Sequence, residues 1–362
     1  MPANQTVHVG ISIVSNICLT YQVISNTKEK RWGKTMKYRK LGANGPKIST
    51  IGLGCMSFAG FFGPTDDQSS FDCLAAAMDM GIDFLDTADV YGMGKSETVL
   101  GTFINTHPNK FKIATKCGIV VKPQHSFDNS ETYIRTALAG SFERLGVDYV
   151  DLYYIHRRDQ SVPIEGVALT MGRLIDEGKI GGWGLSEVSP TTIRRAHAVT
   201  PLMAVQSEYS LWTRTPEVGV LQTCEALGIC FVPFSPVGRG IFAQNFPVLS
   251  NFKDSDFRLK VPRFQEPNYS DNCRVIEGFK TFCADNRWMV SAAALAWILD
   301  QNDTMVPIPA TRYAKHLNEW AQATEITFTD TQRAEIDRLL PIGFAYGDRY
   351  NAAQWNGPEK YS

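Results

Sequence analysis

Four residues, Asp86, Tyr91, Lys116 and His156, carry groups that together could deliver a proton to a carbonyl oxygen. A free phenol has a pKa of about 10 and is a poor proton donor at neutral pH. A neighbouring ammonium favours the phenolate and lowers that value, and a buried carboxylate can hold the ammonium in place. Asp86 and Lys116 supply such a pair, Tyr91 the general acid, and His156 a hydrogen-bonding group that orients the oxygen. None of the four is a good nucleophile, and the chemistry needs no metal. The set suits protonation of an oxyanion formed as hydride arrives at a carbonyl. Each residue alone has a plainer reading. Asp86 could cap a helix, Tyr91 could be a loop aromatic, and a Lys or His closing an apolar strand usually just meets water.

What gives the four weight is where they fall. Ile82–Asp86 reads as a short buried strand that follows a glycine stop, with Tyr91 in the polar loop after it. The run 111–116 ends on Lys116, and the near-continuous apolar run 149–156 ends on His156. Strands and helices alternate along the rest of the chain. After a hairpin around Gly42–Gly45, strands are predicted at 51–55, 82–86, 111–116, 149–156, 182–186, 203–208, 229–234 and 305–308. Helices are predicted near 68–80, 96–104, 131–145, 164–177, 217–227, 271–286, 291–299, 314–324 and 329–340, with another starting after Ser189-Pro190. The irregular stretch 237–269 is long enough to be a functional loop. The fold class expected is α/β, a (β/α)8 TIM barrel with an N-terminal β-hairpin and long loops at its C-terminal face, where strand ends converge on one site. A Rossmann sheet is disfavoured, because Gly52-Leu53-Gly54 meets Ser57 where a third glycine belongs.

Composition excludes several classes. Net charge is −1 over 362 residues, with no electrostatic footprint for nucleic acid or an acidic membrane. The eight cysteines are scattered without a C-x-x-C pair and read as small buried hydrophobes in a reducing compartment, so the location expected is cytoplasmic. The six histidines show no zinc spacing. Within residues 1–35, Val7–Ile24 is apolar-leaning but interrupted by Ser12, Ser15, Asn16, Thr20 and Gln22, too short and too polar for a membrane span. Residues 1–35 are read as an extension ahead of a functional start at Met36. A single barrel domain then covers 36–345, with a tail over 346–362.

Phe84-Leu85-Asp86-Thr87-Ala88-Asp89-Val90-Tyr91-Gly92, Thr115-Lys116 and Leu152-Tyr153-Tyr154-Ile155-His156 resemble the aldo-keto reductases, in order and over about Met36 to Leu340. The stretches Gly52–Met56, Gly184–Glu187, Gln206–Trp212 and Pro233–Gly240 are similar to the branch holding pyridoxal reductases and related aldehyde reductases. The resemblance implies NADPH, with NADH less favoured, bound across the barrel mouth, and a small-molecule carbonyl substrate, with aldehydes such as pyridoxal the guess by branch. It implies that Tyr91 is the proton donor. Ser186, Glu187 and Gln206 match positions that hold the nicotinamide carboxamide, and Phe234 matches the aromatic that stacks on the ring. Ser235, Val237 and Gly238, with Arg239, match the segment around the pyrophosphate, and Cys55 and Met56 line the cofactor mouth. Thr311, Arg312 and His316 match the grip on the adenosine 2′-phosphate. His316 stands where an arginine is common, leaving Arg312, with Lys315, to carry that phosphate. Tyr209 and Trp212 could line the substrate mouth or simply pack. A second class stays open on the same fold: potassium-channel β subunits also resemble these reductases and act partly as binding partners. Nothing in the sequence sets the oligomeric state.

Overall fold

The structure is a computed structural model that describes residues 36–121 and 124–362. The expectation for residues 1–35 lies outside the described residues.

The described chain opens with an antiparallel hairpin, β1 (Tyr38–Lys40) and β2 (Lys47–Ser49). Seven parallel strands follow: β3 (Leu53–Gly54), β4 (Phe84–Asp86), β5 (Lys112–Cys117), β8 (Leu152–Ile155), β9 (Trp183–Ser186), β10 (Ala204–Glu208) and β11 (Cys230–Phe234). They pair in the order β11-β10-β9-β8-β5-β4-β3. Between β5 and β8 a small antiparallel pair, β6 (Ile119–Val120) with β7 (Ser126–Phe127), sits in a stretch where no strand was expected.

The eighth strand is the main departure. Residues 305–308 form single bridges instead of a ladder, Met305 to Phe231 and Ile308 to Phe234, while Ala310 bridges to Gly54 on the other side. Pro307 and Pro309 have no N–H to give, so their carbonyls accept instead, from Gly52 N (3.0 Å) and Gly54 N (2.9 Å). The ring is thereby closed, and the (β/α)8 barrel stands. Other edges are trimmed. The segment 82–86 becomes a ladder only over 84–86, and 149–156 only over 152–155, because ladder pairing starts later than the apolar run does.

Alternation along each strand separates two cores. Phe84, Ala114, Leu152, Tyr154, Ala204, Cys230 and Val232 point into the barrel, with Leu41 and Ile48 of the hairpin in the same cluster. Leu85, Ile113, Tyr153, Ile155, Leu185, Val205 and Phe231 face outward into the larger cluster shared with the helices. Glycine holds interior space open for neighbouring side chains, as Gly52 does for Phe84. A Cβ on Gly184 would lie 2.5 Å from Cε1 of Tyr154, so the absence of a side chain there lets the Tyr154 ring lie across the barrel.

Side chains cap several of the helices. Ser130 caps 131–145, Ser189 caps 190–199 ahead of Pro190, and Thr329 with Gln332 forms a capping box on 330–339. The segment 237–269 is not formless: it holds four 3-10 turns and leads into the helix Asn268–Asp285. Where the sequence implies one helix over 217–227, a 3-10 turn at 215–218 breaks at Gly219 before the helix Val220–Leu227.

Candidate active site

The alternation that sorts the core also sorts the site. Counting by twos from the interior residues Phe84, Ala114 and Leu152 reaches Asp86, Lys116 and His156. The same count from Gly184, Ala204 and Cys230 reaches Ser186, Gln206 and Phe234. Six strands therefore direct one residue each to the same end of the barrel, the C-terminal end of a parallel sheet.

Lys116 is fully buried. Its Nζ forms an ion pair with Asp86 Oδ1 and donates to Thr87 O at 2.6 Å. Asp86 Oδ2 accepts from Gln206 Nε2 at 2.9 Å, so both carboxylate oxygens are used. The ammonium lies 5.2 Å from the centre of the Tyr91 ring. The Tyr91 and His156 rings meet edge to face with centres 5.7 Å apart, and Phe61 approaches the other side of Tyr91 at 5.9 Å.

The loop carrying Tyr91 is fixed from below. Ser96 N donates to Tyr91 O (3.2 Å), Ser96 Oγ to Cys55 O (2.9 Å), and Thr87 Oγ1 to Ser96 Oγ (2.8 Å). Gly92 and Gly94 both have positive φ, and a Cβ on Gly94 would fall 2.4 Å from Cδ of Arg144. Glycine is required at that turn on both counts.

Charge is set by burial and by these neighbours. Burial alone would lower the Lys116 pKa, but Asp86 and then Tyr91 reverse this and hold it above the usual lysine value. Burial pushes the Asp86 carboxyl up against the opposing pull of Lys116. The Tyr91 phenol is raised by burial, and Lys116 pulls against that rise without cancelling it. The sequence expectation of a lowered phenol therefore needs correction in this structure, because desolvation outweighs the ammonium. Tyr91 is protonated at neutral pH. His156 is held well below the usual histidine range, by burial first and then by Arg157 and Lys116. It is a neutral imidazole, and its buried Nδ1 has no hydrogen-bond partner.

Behind this set sits a second buried acid. Asp89 is pushed up to about 7, by burial and then by Glu97, with Arg144 and Lys116 opposing. Glu97 is itself buried, bonded to Thr115 Oγ1 (2.5 Å) and Arg144 Nε (2.7 Å), whereas Asp89 Oδ1 has no partner. A raised carboxyl favours the folded state at low pH and loses that contribution as pH climbs from about 4 to about 7. Asp89→Asn is expected to remove this loss, gaining stability over wild type on the order of a few kcal/mol at pH 8 but not at pH 4. Urea unfolding at both pH values checks it, and an equal difference at both would contradict it.

The other expected cofactor residues fall into separate groups. Phe234 ends β11 and Ser235 follows it at φ 50°, its carbonyl accepting from Gly238 N at 2.9 Å. Val237 and Gly238 lead a tight 3-10 turn. Thr311 and His316 are joined, Oγ1 to Nδ1 at 2.8 Å, ahead of and within the helix Ala314–Ala321, and Arg312 donates to Phe62 O at 3.2 Å. Cys55 is buried, its N–H donating to Asp86 O (2.8 Å), and its thiol is pushed well up by burial, so it is not a reactive sulfur. Met56 starts the 3-10 turn that follows. Two charged residues are engaged within the protein. Glu187 accepts from Glu208 N (3.0 Å) and pairs with Arg349 (2.8 Å), and Arg239 pairs with Glu208 (2.6 Å). Tyr209 and Trp212 are packing residues, bonded to Glu217 (2.8 Å) and Asn272 (3.3 Å) within the outer core.

Sequence reading missed Arg157, Arg349 and Tyr350. Arg157 donates to His156 O (2.7 Å), Ser186 Oγ (3.2 Å) and Tyr350 OH (3.4 Å). Its place directly after His156 was a usable signal. Arg349 and Tyr350 reach the site from the far end of the chain, and nothing local marks them.

Among the described residues no group of His, Cys, Asp and Glu could hold a metal ion, and no helix is long and apolar enough to cross a membrane. A profile of the Aldo/keto reductase family matches residues 50–341. The protein called probable aldo-keto reductase 1 in Glycine max is 39% identical over 332 residues, covering 89% of this chain and 93% of that one. A glycerol dehydrogenase from Gluconobacter oxydans superposes with TM-score 0.76 at 27% identity, covering 84% of this chain and 94% of that chain. An aldo-keto reductase from Bacillus halodurans in its holo form gives 0.71 at 25% identity, covering 88% and 99%. The chain belongs to the aldo/keto reductase family, and is an NAD(P)H-dependent oxidoreductase acting on small carbonyl compounds.

Proposed function

We propose that this chain reduces an aldehyde to an alcohol with NADPH, and that Tyr91 supplies the proton. The observation that carries the reading is the buried Lys116 ammonium, tied to Asp86 and 5.2 Å from the Tyr91 ring. The cofactor supplies the hydride. Tyr91, protonated at rest, gives its proton to the carbonyl oxygen as negative charge develops there, and Lys116 stabilises the phenolate left behind. Asp86 holds Lys116 charged and in place. His156 is neutral and cannot compete as the acid at neutral pH, so its role is to orient the oxygen by a hydrogen bond.

The residues present fit a nicotinamide dinucleotide. Ser186, Gln206 and Phe234 surround the end of the barrel that holds Tyr91, offering polar groups for a carboxamide and an aromatic face for the ring. Arg312 and Lys315, beside the start of a helix, provide cations for a phosphate. Arg312 favours NADPH over NADH, and His316, pushed down by burial, adds no full charge at neutral pH. The branch resemblance points to aromatic aldehydes such as pyridoxal, and six of the seven cysteines among the described residues are buried, which supports a reducing, cytoplasmic setting. NADPH consumption with an aldehyde panel including pyridoxal tests the reading. Turnover of at least one aldehyde is expected. Tight NADPH binding without turnover of any would instead support a cofactor-sensing or channel-associated role.

A further inference from the structure

Residues 342–362 lie beyond the span matched to the family, yet their side chains are joined to the strand ends of the site. Arg349 is buried, with one guanidinium nitrogen 2.8 Å from Glu187 Oε2 and 3.5 Å from Glu208 Oε2. Glu208 also pairs with Arg239 at 2.6 Å, and Arg239 in turn donates to the backbone oxygen of Arg349 at 2.8 Å. The four charges balance and are all buried. The Arg349 guanidinium stacks over Tyr350 (4.6 Å) and Trp355 (4.8 Å), which limits the directions it can take. Further along the tail, Glu359 N donates to Glu187 O at 2.9 Å, and its carboxylate accepts from Arg158 (2.6 Å) and Ser189 N (2.8 Å).

This network converges on the turn after β9. Glu187 has φ 56°, a left-handed conformation that a side chain bearing a Cβ adopts only when its surroundings hold it there. Its carboxylate is held by Arg349 and by Glu208 N, and its carbonyl by Glu359 N. Directly before it is Ser186, whose hydroxyl accepts from Arg157, and Arg157 also reaches Tyr350. The tail thus touches the 186–187 pair from two sides. Removing the Arg349 charge would leave Glu208 with Arg239 but strip the buried Glu187 carboxylate of its cationic partner, an arrangement relieved only by moving or protonating Glu187.

We propose that Arg349 is a positioning residue for the nicotinamide end of the cofactor site, acting through Glu187 on Ser186. The inference rests on the reading above, in which Ser186 and Gln206 receive the carboxamide. It separates the two ends of the site. Arg312, Lys315 and the 2′-phosphate grip share none of the hydrogen bonds or ion pairs of this network, so adenine-end affinity is independent of Arg349.

The test uses the full chain with Arg349→Met and Arg349→Lys, titrated by intrinsic fluorescence with NADPH and with adenosine 2′,5′-bisphosphate, which lacks the nicotinamide. Arg349→Met is expected to weaken NADPH about tenfold and the bisphosphate less than about twofold. Arg349→Lys, which restores the charge without the fork, is expected to fall between wild type and Arg349→Met for NADPH. Unchanged NADPH affinity in Arg349→Met, with wild type binding normally, overturns the inference alone. Equal weakening of both ligands also overturns it, since that marks a general structural loss. Failure of wild type to bind NADPH overturns the functional reading and the inference together.

Discussion

Tyr91→Phe is expected to lower kcat for aldehyde reduction about 10³-fold while leaving NADPH affinity within about twofold. The substitution removes one oxygen and keeps the ring, so the edge-to-face contacts with His156 and Phe61 survive. The lost oxygen is the only acid in the set with a proton to give at neutral pH. Lys116 remains charged, but its ammonium already donates to Asp86 and Thr87 O, and surrendering a proton would leave Asp86 uncompensated. Stopped-flow loss of NADPH absorbance, with a separate fluorescence titration for binding, checks both halves. A loss of binding as large as the loss of kcat would mean that Tyr91 holds the cofactor instead of donating the proton.

Lys116→Met is expected to be worse, because it damages stability as well as turnover. Breaking a buried ion pair by removing one partner costs about 3–5 kcal/mol, since the remaining charge has no counter-ion. Asp86 would retain only Gln206 and would relieve the strain by taking up a proton. Its folded pKa, already raised by burial, would rise further. The sign follows: a carboxyl raised in the folded state lends stability below its unfolded pKa and loses it as pH rises through the folded value. Lys116→Met should therefore unfold more readily at pH 8 than at pH 5, a trend that Lys116→Met/Asp86→Asn should remove. Turnover should stay at least about 100-fold down in both variants, because neither stabilises a phenolate at Tyr91. Recovery of turnover in the double variant would show that Lys116 serves only to neutralise Asp86.

The convergence of the candidate residues was legible because it follows the simplest rule a strand obeys. Asp86, Lys116 and His156 each close an apolar run and share the inward phase of Phe84, Ala114 and Leu152, and a parallel barrel brings such ends together. Tyr91 could be read from its glycine-rich loop. Strand 305–308 was read one step too regularly: its apolar pattern is right, but the two prolines reduce a ladder to bridges. The tyrosine's acidity was misjudged because a sequence shows which charges are neighbours and not how much water has been removed. Arg349 was hidden for a different reason. Its partner Glu187 is 162 positions away, and no periodicity or motif encodes a contact made after the barrel has closed.

The claim on which the account depends is that Tyr91, and not His156, gives the proton. The direct measurement is the single-turnover rate of NADPH oxidation by Asp89→Asn, which lacks the buried carboxyl that titrates at about 7, with one aldehyde at saturation, followed from about pH 5.5 to about pH 8.5. A phenol raised by burial and an imidazole already neutral both keep their states across that window, so the rate should change less than about twofold. A tenfold fall centred near the ordinary histidine pKa of about 6.5 would identify an imidazolium as the acid and contradict the account.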